Sequence, residues 1–341
     1  MLSGFVLESD VLLVLPYVSA IRERVIMQSN SCHLDLKDSR SATAERESAV
    51  RPDLSVVIVA FDSLSFLRDC LSSIPSGAGR FSHEVIVVDN ASSDGTAAWL
   101  SRAEPSLRAV CNRQNLGFAR ACNQGILAAR GRYLLLLNPD TVVGDRALER
   151  TVEFLSAHRR LAAATCKIVR PGGQLDPSCK RDFPNLWDAF SRFSGLSRLL
   201  PRSRIFARYD ARYLDDDVAQ EVPLIDGCFM LMRHEAVEDI GLFDERFFMY
   251  AEEMDWCRRA RLKGWSIGYD PSGITMHVKG AATRRHTFRM LYHFHRSMGV
   301  YYWKHGRYRG PGMFLVLPAL TLRLLILLAI NACRRNRRVS G

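Results

Sequence analysis

The chain has no acidic residue after Asp270, so its charge is unevenly distributed. The 341 residues include 47 Lys and Arg against 36 Asp and Glu. Thirteen of the basic residues fall in the last 71 positions, which leaves the first 270 with a net charge of −2. A near-neutral body with a basic tail predicts contact between the tail and phosphate, of nucleic acid or of lipid.

The sequence also lacks CxxC motifs, and its nine cysteines are odd in number. This pattern argues against a disulfide framework or a zinc site and is typical of reduced thiols in the cytosol. The apolar run 11–18 is too short to cross a bilayer and has no basic N-terminal flank. We expect residues 1–50 to be a loosely ordered N-terminal extension.

From residue 54 onward, apolar runs alternate with helical patterns, and this alternation predicts a parallel α/β sheet. Buried strands are predicted over 55–61, 84–89, 107–111 and 133–137, with helices over 63–73 and 117–130. The second half is less regular. It predicts a long insertion (176–220), interrupted strands (222–232), a helix (252–263), a short strand (265–269) and a helix (286–305).

Polar side chains follow three of these strands, where ligands bind in an open parallel sheet. A single Asp or Asn at such a position is commonly a turn residue, but three strands that end this way favour a polar site. The side chains are Asp62 after the first strand, Asp89 and Asn90 after the second, and Asn138 and Asp140 after the fourth.

Asp140 follows a fully apolar strand, and a lone carboxylate there is well placed to hold a hard cation. Mg²⁺ takes one or two protein carboxylates and leaves room for phosphate oxygens. Asn138 lies on the same side of the extended chain as Asp140. His277 precedes Lys279, a natural phosphate partner, although a lone histidine is more often structural.

Three carboxylates crowd the start of the helix predicted over 252–263. They are either favourable charges at the positive end of a helix dipole or a general base with a raised pKa. The aromatic residues at 247–250 would help to exclude water. The three carboxylates are Glu252, Glu253 and Asp255.

Seven motifs, in this order and spacing, resemble the family 2 glycosyltransferases with the GT-A fold. The likeness covers about 54–304 and is strongest to the bacterial rhamnosyltransferase-like branch, which acts in cell-wall and surface-polysaccharide assembly. It implies a mainly parallel, Rossmann-like sheet flanked by helices. The motifs are 55–63, 87–96, 115–125, 135–141, 226–233, 243–257 and 264–265.

The resemblance implies a nucleotide diphosphate sugar donor, of dTDP or UDP type, and a divalent cation, Mg²⁺ or Mn²⁺. Asp140 and His277 would bind the cation. The donor-binding residues would be Phe61, Asp62, Asp89, Asn90, Asn115, Gly117, Asn138 and Asp140.

The resemblance also implies a catalytic base and an inverting displacement. Glu253 stands where the family usually has Asp, with Asp255 or Glu252 as alternatives for the base. Asp62 stands where Asn is common. The sequence shows no Ser or Cys nucleophile triad, and a single displacement needs none.

The resemblance divides the chain into a catalytic domain (51–285) and a basic helical tail (286–341). The donor half would be about 51–145 and the acceptor half 146–285. The run 313–332 carries one charge, Arg323. It predicts an in-plane or hairpin-like membrane anchor with the arginines at 334–338 on anionic headgroups, or else a helix packed on the body. We expect the protein at the cytoplasmic face of the plasma membrane.

These features predict transfer of a sugar, preferably rhamnose, to a lipid-linked or polysaccharide acceptor. The alternatives are the same chemistry with galactose, N-acetylglucosamine or galactofuranose, and a catalytically inactive scaffold that binds nucleotide sugars. Nucleic-acid binding through the tail would use its aromatic residues. It would not account for Asp140, the three carboxylates or the apolar run, so no nucleic-acid partner is expected.

Overall fold

The computed structural model describes residues 51–102, 107–278, 287–305 and 321–322. The predicted extension at 1–50 lies outside these ranges, and so does the apolar run 313–332 except for Thr321 and Leu322. None of the helices within the described ranges combines the length and the apolar character that a membrane crossing requires. The seven cysteines in these ranges are free thiols.

Strands and helices alternate through the first half of the described chain. The strands are β1 (Leu54–Ala60), β2 (His83–Asp89), β3 (Leu107–Cys111), β4 (Tyr133–Leu137), β5 (Thr141–Val143), β6 (Leu161–Val169), β7 (Lys180–Arg181), β8 (Gln220–Val222), β9 (Leu224–Ile225), β10 (Phe229–Arg233) and β11 (Ser266–His277). The helices are α1 (Leu64–Ala78), α2 (Thr96–Leu100), α3 (Phe118–Ala128), α4 (Ala147–Ala157), α5 (Leu186–Phe193), α6 (Leu196–Leu199), α7 (His234–Ile240), α8 (Glu252–Leu262) and α9 (Thr287–His305).

One mixed sheet forms the centre of the fold, in the order β3-β2-β1-β4-β10-β6-β11-β5, with β8 paired to β11. The four predicted strands β1 to β4 are parallel to one another, as expected. Strand β10 is antiparallel to both β4 and β6, so the sheet is mixed rather than parallel throughout. Strands β7 and β9 form a separate pair.

The central strands are buried on both faces, which explains their continuous apolar sequences. All seven residues of β1 and all five of β4 are buried. Helices α3 and α4 contribute buried faces to the same core. The sheet is therefore a rigid platform whose strand ends hold the polar residues.

The prediction for residues 265–277 was wrong in one respect. The strand predicted to end at 269 continues through Pro271 and ends at His277. A register shift between Asp270 and Ile274 accommodates the irregular residues while pairing with β6 resumes. The extra length places His277 opposite Thr141 of β5.

Candidate active site

A cavity of about 420 Å³ lies at the strand ends that the sequence singles out. Eight of the twelve predicted site residues line it: Phe61, Asn90, Asn115, Asn138, Asp140, Glu252, Glu253 and His277. Four do not: Asp62, Asp89, Gly117 and Asp255. The structure therefore brings five of the eight predicted donor residues, both predicted metal residues and two of the three base candidates to one cavity.

Asn90 and Asn115 hold the loop that leads into α3. The Asn90 amide donates to Oδ1 of Asn115 at 3.1 Å and to the Gly117 carbonyl at 3.2 Å. Its own Oδ1 accepts from the Leu116 backbone N–H. These bonds fix one wall of the cavity, because the loop can shift only if they break.

Asp62 and Asp89 support the neighbouring loop after β2. Asp62 accepts from the backbone N–H of Ser93 at 2.7 Å and from its hydroxyl at 3.0 Å. Asp89 accepts from the Ser92 backbone N–H at 3.2 Å, and burial raises the pKa of its carboxyl. Both carboxylates thus shape the loop beside the cavity.

Gly117 contributes through its backbone. Its φ of +88° is in the left-handed region, and a Cβ there would lie 2.6 Å from the Phe248 carbonyl oxygen. That oxygen accepts a 2.6 Å hydrogen bond from the Phe118 N–H. A side chain at this position would therefore push apart the loop that leads into α3 and the segment before α8.

Asp140 and His277 meet because β5 pairs with β11. Nε2 of His277 lies 3.1 Å from Oδ1 of Asp140, and the two side chains are only 5% and 12% exposed. Nδ1 of His277 is buried with no hydrogen-bond partner and lies 3.9 Å from Asp176. The pair is a nitrogen and oxygen donor set at the cavity wall.

This donor set fits a divalent cation that takes its remaining ligands from a substrate diphosphate. No cluster of three or more His, Cys, Asp or Glu side chains suited to a metal occurs among the described residues. A closed, all-protein cage is therefore not present in that part of the chain. An open site of this kind suits Mg²⁺ or Mn²⁺ bound together with phosphate oxygens.

Glu252 and Glu253 begin α8 after two non-glycine residues in the left-handed region, Tyr250 (φ 70°) and Ala251 (φ 68°). Such backbone conformations persist only where the surroundings enforce them, and they cluster at functional sites. The turn places both carboxylates at the cavity. Nη2 of Arg181 donates to Oε1 of Glu253 at 2.9 Å.

The two acids have different surroundings. Burial raises the pKa of Glu252 well above its ordinary value, and the charge of Glu253 raises it further. Oε2 of Glu252 is buried with no hydrogen-bond partner. Burial also raises the pKa of Glu253, but the adjacent Arg181 opposes this. Because two adjacent carboxylates resist double ionisation, we assign the proton to Glu252 and the negative charge to Glu253.

Asp255 lies elsewhere on the helix and links α8 to α9. Its carboxylate contacts Arg259 at 2.9 Å, Lys304 at 2.8 Å and His305 at 2.5 Å. Burial alone would raise the pKa of Asp255, but hydrogen bonds from His305 and Lys304 and the charge of Arg259 lower it. This saturated carboxylate ties two helices together and does not line the cavity.

The sequence reasoning missed Arg181 as a site residue. Besides Glu253, its guanidinium donates to the Tyr209 hydroxyl at 3.2 Å and lies 3.9 Å from Asp226. Asp226 belongs to one of the seven motifs but had been given no role. Arg181 lies in the irregular insertion, where no periodicity or motif marks a buried cation. Of the aromatic residues expected to exclude water, Phe248 and Tyr250 line the cavity.

Comparison with known proteins agrees with this geometry. The sequence profile described as Glycosyl transferase family 2 matches residues 55–241. An N-acetylglucosaminyl-diphospho-decaprenol L-rhamnosyltransferase of Mycobacterium tuberculosis (strain ATCC 25618 / H37Rv) is 28% identical over 299 residues, 84% of this chain and 95% of the relative. Rhamnosyltransferase WbbL of Escherichia coli (strain K12) is 28% identical over 147 residues, 42% of this chain and 52% of the relative.

A solved structure has a similar fold. The mannosyltransferase PcManGT from Pyrobaculum calidifontis, solved with GDP-Man and Mn²⁺, aligns with a TM-score of 0.52 at 16% identity. The alignment covers 94% of this chain and 88% of that one. The family profile spans more than half of the sequence and includes the strands that carry Asn90, Asn138 and Asp140. The chain is therefore a glycosyltransferase and belongs to glycosyl transferase family 2.

Proposed function

We propose that this enzyme transfers rhamnose from a nucleoside diphosphate sugar to a lipid-linked acceptor with inversion at the anomeric carbon. The observation that carries the proposal is the arrangement of one cavity, with Asp140 and His277 at one part of its lining and Glu252 and Glu253 at another. The choice of rhamnose and of a lipid-linked acceptor is supported by the mycobacterial relative, whose name states both.

The donor binds against the loop that Asn90 and Asn115 hold, with Asn138 beside it. Asp140 and His277 would hold Mg²⁺ or Mn²⁺ next to the diphosphate. When bound, the cation offsets the negative charge on the diphosphate. Both a dTDP sugar and a UDP sugar would supply the diphosphate that this arrangement needs, so the site is compatible with either donor.

The acceptor hydroxyl is activated by Glu253, which takes its proton. The acceptor oxygen then bonds to the anomeric carbon, on the face opposite the nucleotide, as the bond from that carbon to the diphosphate oxygen breaks. One displacement inverts the configuration. Glu252, which keeps its proton, can donate a hydrogen bond to a sugar hydroxyl or ring oxygen.

Aromatic side chains limit the competing reaction with water. Phe118, Phe248 and Tyr250 line the cavity near the acid pair. A drier cavity also strengthens the interaction between Arg181 and Glu253. Transfer to the acceptor is therefore favoured over hydrolysis of the donor.

A lipid-linked acceptor requires the enzyme to work at a membrane, and we place it at the cytoplasmic face of the plasma membrane. The support is the basic sequence of the C-terminal tail, which carries four arginines at 334–338 after an apolar run. Arginines next to an apolar segment are attracted to anionic lipids.

The proposal is tested by nucleoside diphosphate release from a donor panel with Mg²⁺ and an N-acetylglucosaminyl-diphospho-polyprenol acceptor. The panel holds dTDP-rhamnose and the UDP forms of galactose, N-acetylglucosamine and galactofuranose. We expect acceptor-dependent release from dTDP-rhamnose, lost in Glu253→Gln and Asp140→Ala. Glu238→Gln, whose side chain is 73% exposed, is the matched control and should retain activity.

Two results would change the account. Release from another donor alone would keep the mechanism and replace rhamnose. If the folded protein still binds nucleotide sugar but releases nucleoside diphosphate from no donor, the proposed transferase activity would be contradicted. That result would favour the catalytically inactive scaffold.

A further inference from the structure

The insertion between β7 and β8 carries a concentration of exposed apolar side chains. The exposed fractions are 45% for Trp187, 52% for Phe190, 75% for Leu199, 44% for Leu200 and 62% for Ile205. Exposed apolar side chains concentrated in one segment indicate an interaction site, whereas single ones scattered over a surface do not. We call these five residues, with Arg198, Arg202 and Arg204, the 187–205 surface.

Contacts within the insertion hold these side chains in place. The Trp187 ring lies 5.3 Å from that of Phe190 and 6.0 Å from that of Phe206. Its indole N–H donates to the Ile205 carbonyl at 2.9 Å. Asn185 starts α5 with a capping box that uses Asp188. The apolar residues are therefore displayed on a fixed scaffold.

Positive charge surrounds this apolar group. Residues 186–206 contain four arginines and one acid, Asp188. Asp188 is buried and pairs with Arg208 at 2.7 Å. Arg198, Arg202 and Arg204 are exposed, and Arg202 also lines a second cavity with Asp210 and the aspartates at 215–217. Within residues 198–205 the charged side chains are therefore all basic and all exposed.

We infer that the 187–205 surface docks on an anionic lipid bilayer, with its aromatic and leucine side chains at the acyl boundary and its arginines on the headgroups. Exposed Trp, Phe and Leu beside arginine are the composition of interfacial membrane segments. A protein partner would have to supply several carboxylates together with an apolar face. An anionic membrane supplies both and, on the proposed function, also holds the acceptor.

Hydrogen bonds connect the residues that flank the 187–205 surface to Glu253, the proposed catalytic base. Arg181, which contacts Glu253, donates to the hydroxyl of Tyr209, and the Asp182 N–H donates to the Tyr209 carbonyl at 2.9 Å. The segments that flank the 187–205 surface thus meet next to Arg181, which contacts Glu253. Docking through the 187–205 surface would hold the cavity close to lipid-linked substrates.

The test uses the full chain and vesicles of equal parts phosphatidylcholine and phosphatidylglycerol, with no donor or acceptor. Brominated phosphatidylcholine quenches tryptophan that enters the acyl boundary. We expect vesicle-dependent quenching, with most of it lost in Trp187→Phe, which keeps the ring packing. Trp99→Phe, a substitution in α2, is the matched control and should keep the quenching.

The charge is tested with Arg198→Gln and Arg204→Gln. Each should lower the partition coefficient on these vesicles by about fivefold, with little change on phosphatidylcholine alone. Full quenching in Trp187→Phe, or partitioning unaffected by the arginine variants, would overturn the inference. The vesicle assay needs no turnover, so its result does not depend on whether the protein transfers the proposed sugar. Likewise, the absence of vesicle binding would not contradict sugar transfer in the donor-panel assay.

Discussion

Nη2 of Arg181 lies 2.9 Å from Oε1 of Glu253, although 72 residues separate them in the sequence. The Arg181 side chain is 15% exposed and that of Glu253 12%. Arginine does not lose its proton in proteins, so its position selects the acid that carries the negative charge. Glu252 has no such partner within the described residues. The contact thus distinguishes two adjacent glutamates of the same helix turn.

Removing the charge at Arg181 is expected to shift the pH dependence of catalysis. In Arg181→Met, the pKa of Glu253 rises because burial acts without the opposing cation. A smaller fraction of the enzyme then holds Glu253 as a carboxylate at neutral pH. The acid limb of the kcat profile should move to higher pH, with activity partly recovered as pH increases.

Arg181→Lys keeps a positive charge and should show a smaller shift of the acid limb. If Arg181→Met lowered kcat by the same factor at every pH, the residue would have only a structural role. Circular dichroism of both variants should match the wild type, which separates this effect from unfolding.

Asp255→Asn is expected to lower stability, because the wild-type carboxylate neutralises Arg259 and Lys304 and is hydrogen-bonded to His305. Breaking a buried ion pair on one side costs roughly 3–5 kcal/mol. The native pKa of Asp255 lies below its ordinary value, so its contribution is fully present above the unfolded pKa and is lost as pH falls through the native pKa.

Urea unfolding at neutral pH measures the loss in the free energy of unfolding. When the measurement is repeated at lower pH, the difference in this free energy between wild type and Asp255→Asn should become smaller. The variant's donor binding should stay near the wild-type level once the protein is folded. A stable Asp255→Asn protein that binds donor but has lost all transfer would contradict the structural role.

Gly117→Ala is expected to lower donor affinity more than the same substitution at a second glycine with a similar backbone conformation. Gly117 (φ 88°, ψ 163°) and Gly241 (φ 89°, ψ 170°) have similar conformations, but a Cβ at Gly241 would meet only Nη1 of Arg259, at an ordinary contact distance of 3.8 Å. At Gly117 the new methyl would meet the Phe248 carbonyl at 2.6 Å. Donor affinity, measured calorimetrically, should fall in Gly117→Ala and remain near normal in Gly241→Ala. Equal effects would mean that backbone strain alone matters.

Chelation of divalent cations is expected to abolish transfer, with activity restored by Mg²⁺ or Mn²⁺. Asp140→Ala and His277→Ala should each weaken Mn²⁺ binding in the presence of nucleoside diphosphate by roughly tenfold or more, an effect of the size seen when metal-site partners are lost. Electron paramagnetic resonance of free Mn²⁺ measures this directly. Asp217→Asn, at a side chain 78% exposed, is the control. Unchanged Mn²⁺ affinity in both site variants would contradict the assignment.

The sequence allows the parallel half of the fold to be predicted because its signals are local. Runs such as 55–61 and 133–137 indicate strands buried on both faces, and their polar ends identify one sheet edge. The direction of β10 could not be predicted, because a buried strand has the same apolar sequence whether it runs parallel or antiparallel. The continuation of β11 past Pro271 depends on pairing with β6, a contact that no local pattern contains.

The site was predictable where one strand end or motif carries the residue, as for Asn138, Asp140 and Glu253. Arg181 was not, since its role arises from contacts with Glu253 and Tyr209 that only the folded chain creates. The three acids at the start of α8 could not be separated by composition. Asp255 differs from Glu253 because it contacts α9, and the sequence does not state which face of α8 that helix covers.

The most direct test of the account is single-turnover sugar transfer by Glu253→Gln, with donor affinity measured on the same protein. A general base contributes about 10²–10⁴-fold, so transfer should fall by that factor while donor affinity stays near that of the wild type. Transfer at close to the wild-type rate in Glu253→Gln, with the loss found instead in Glu252→Gln, would contradict the assignment of the base.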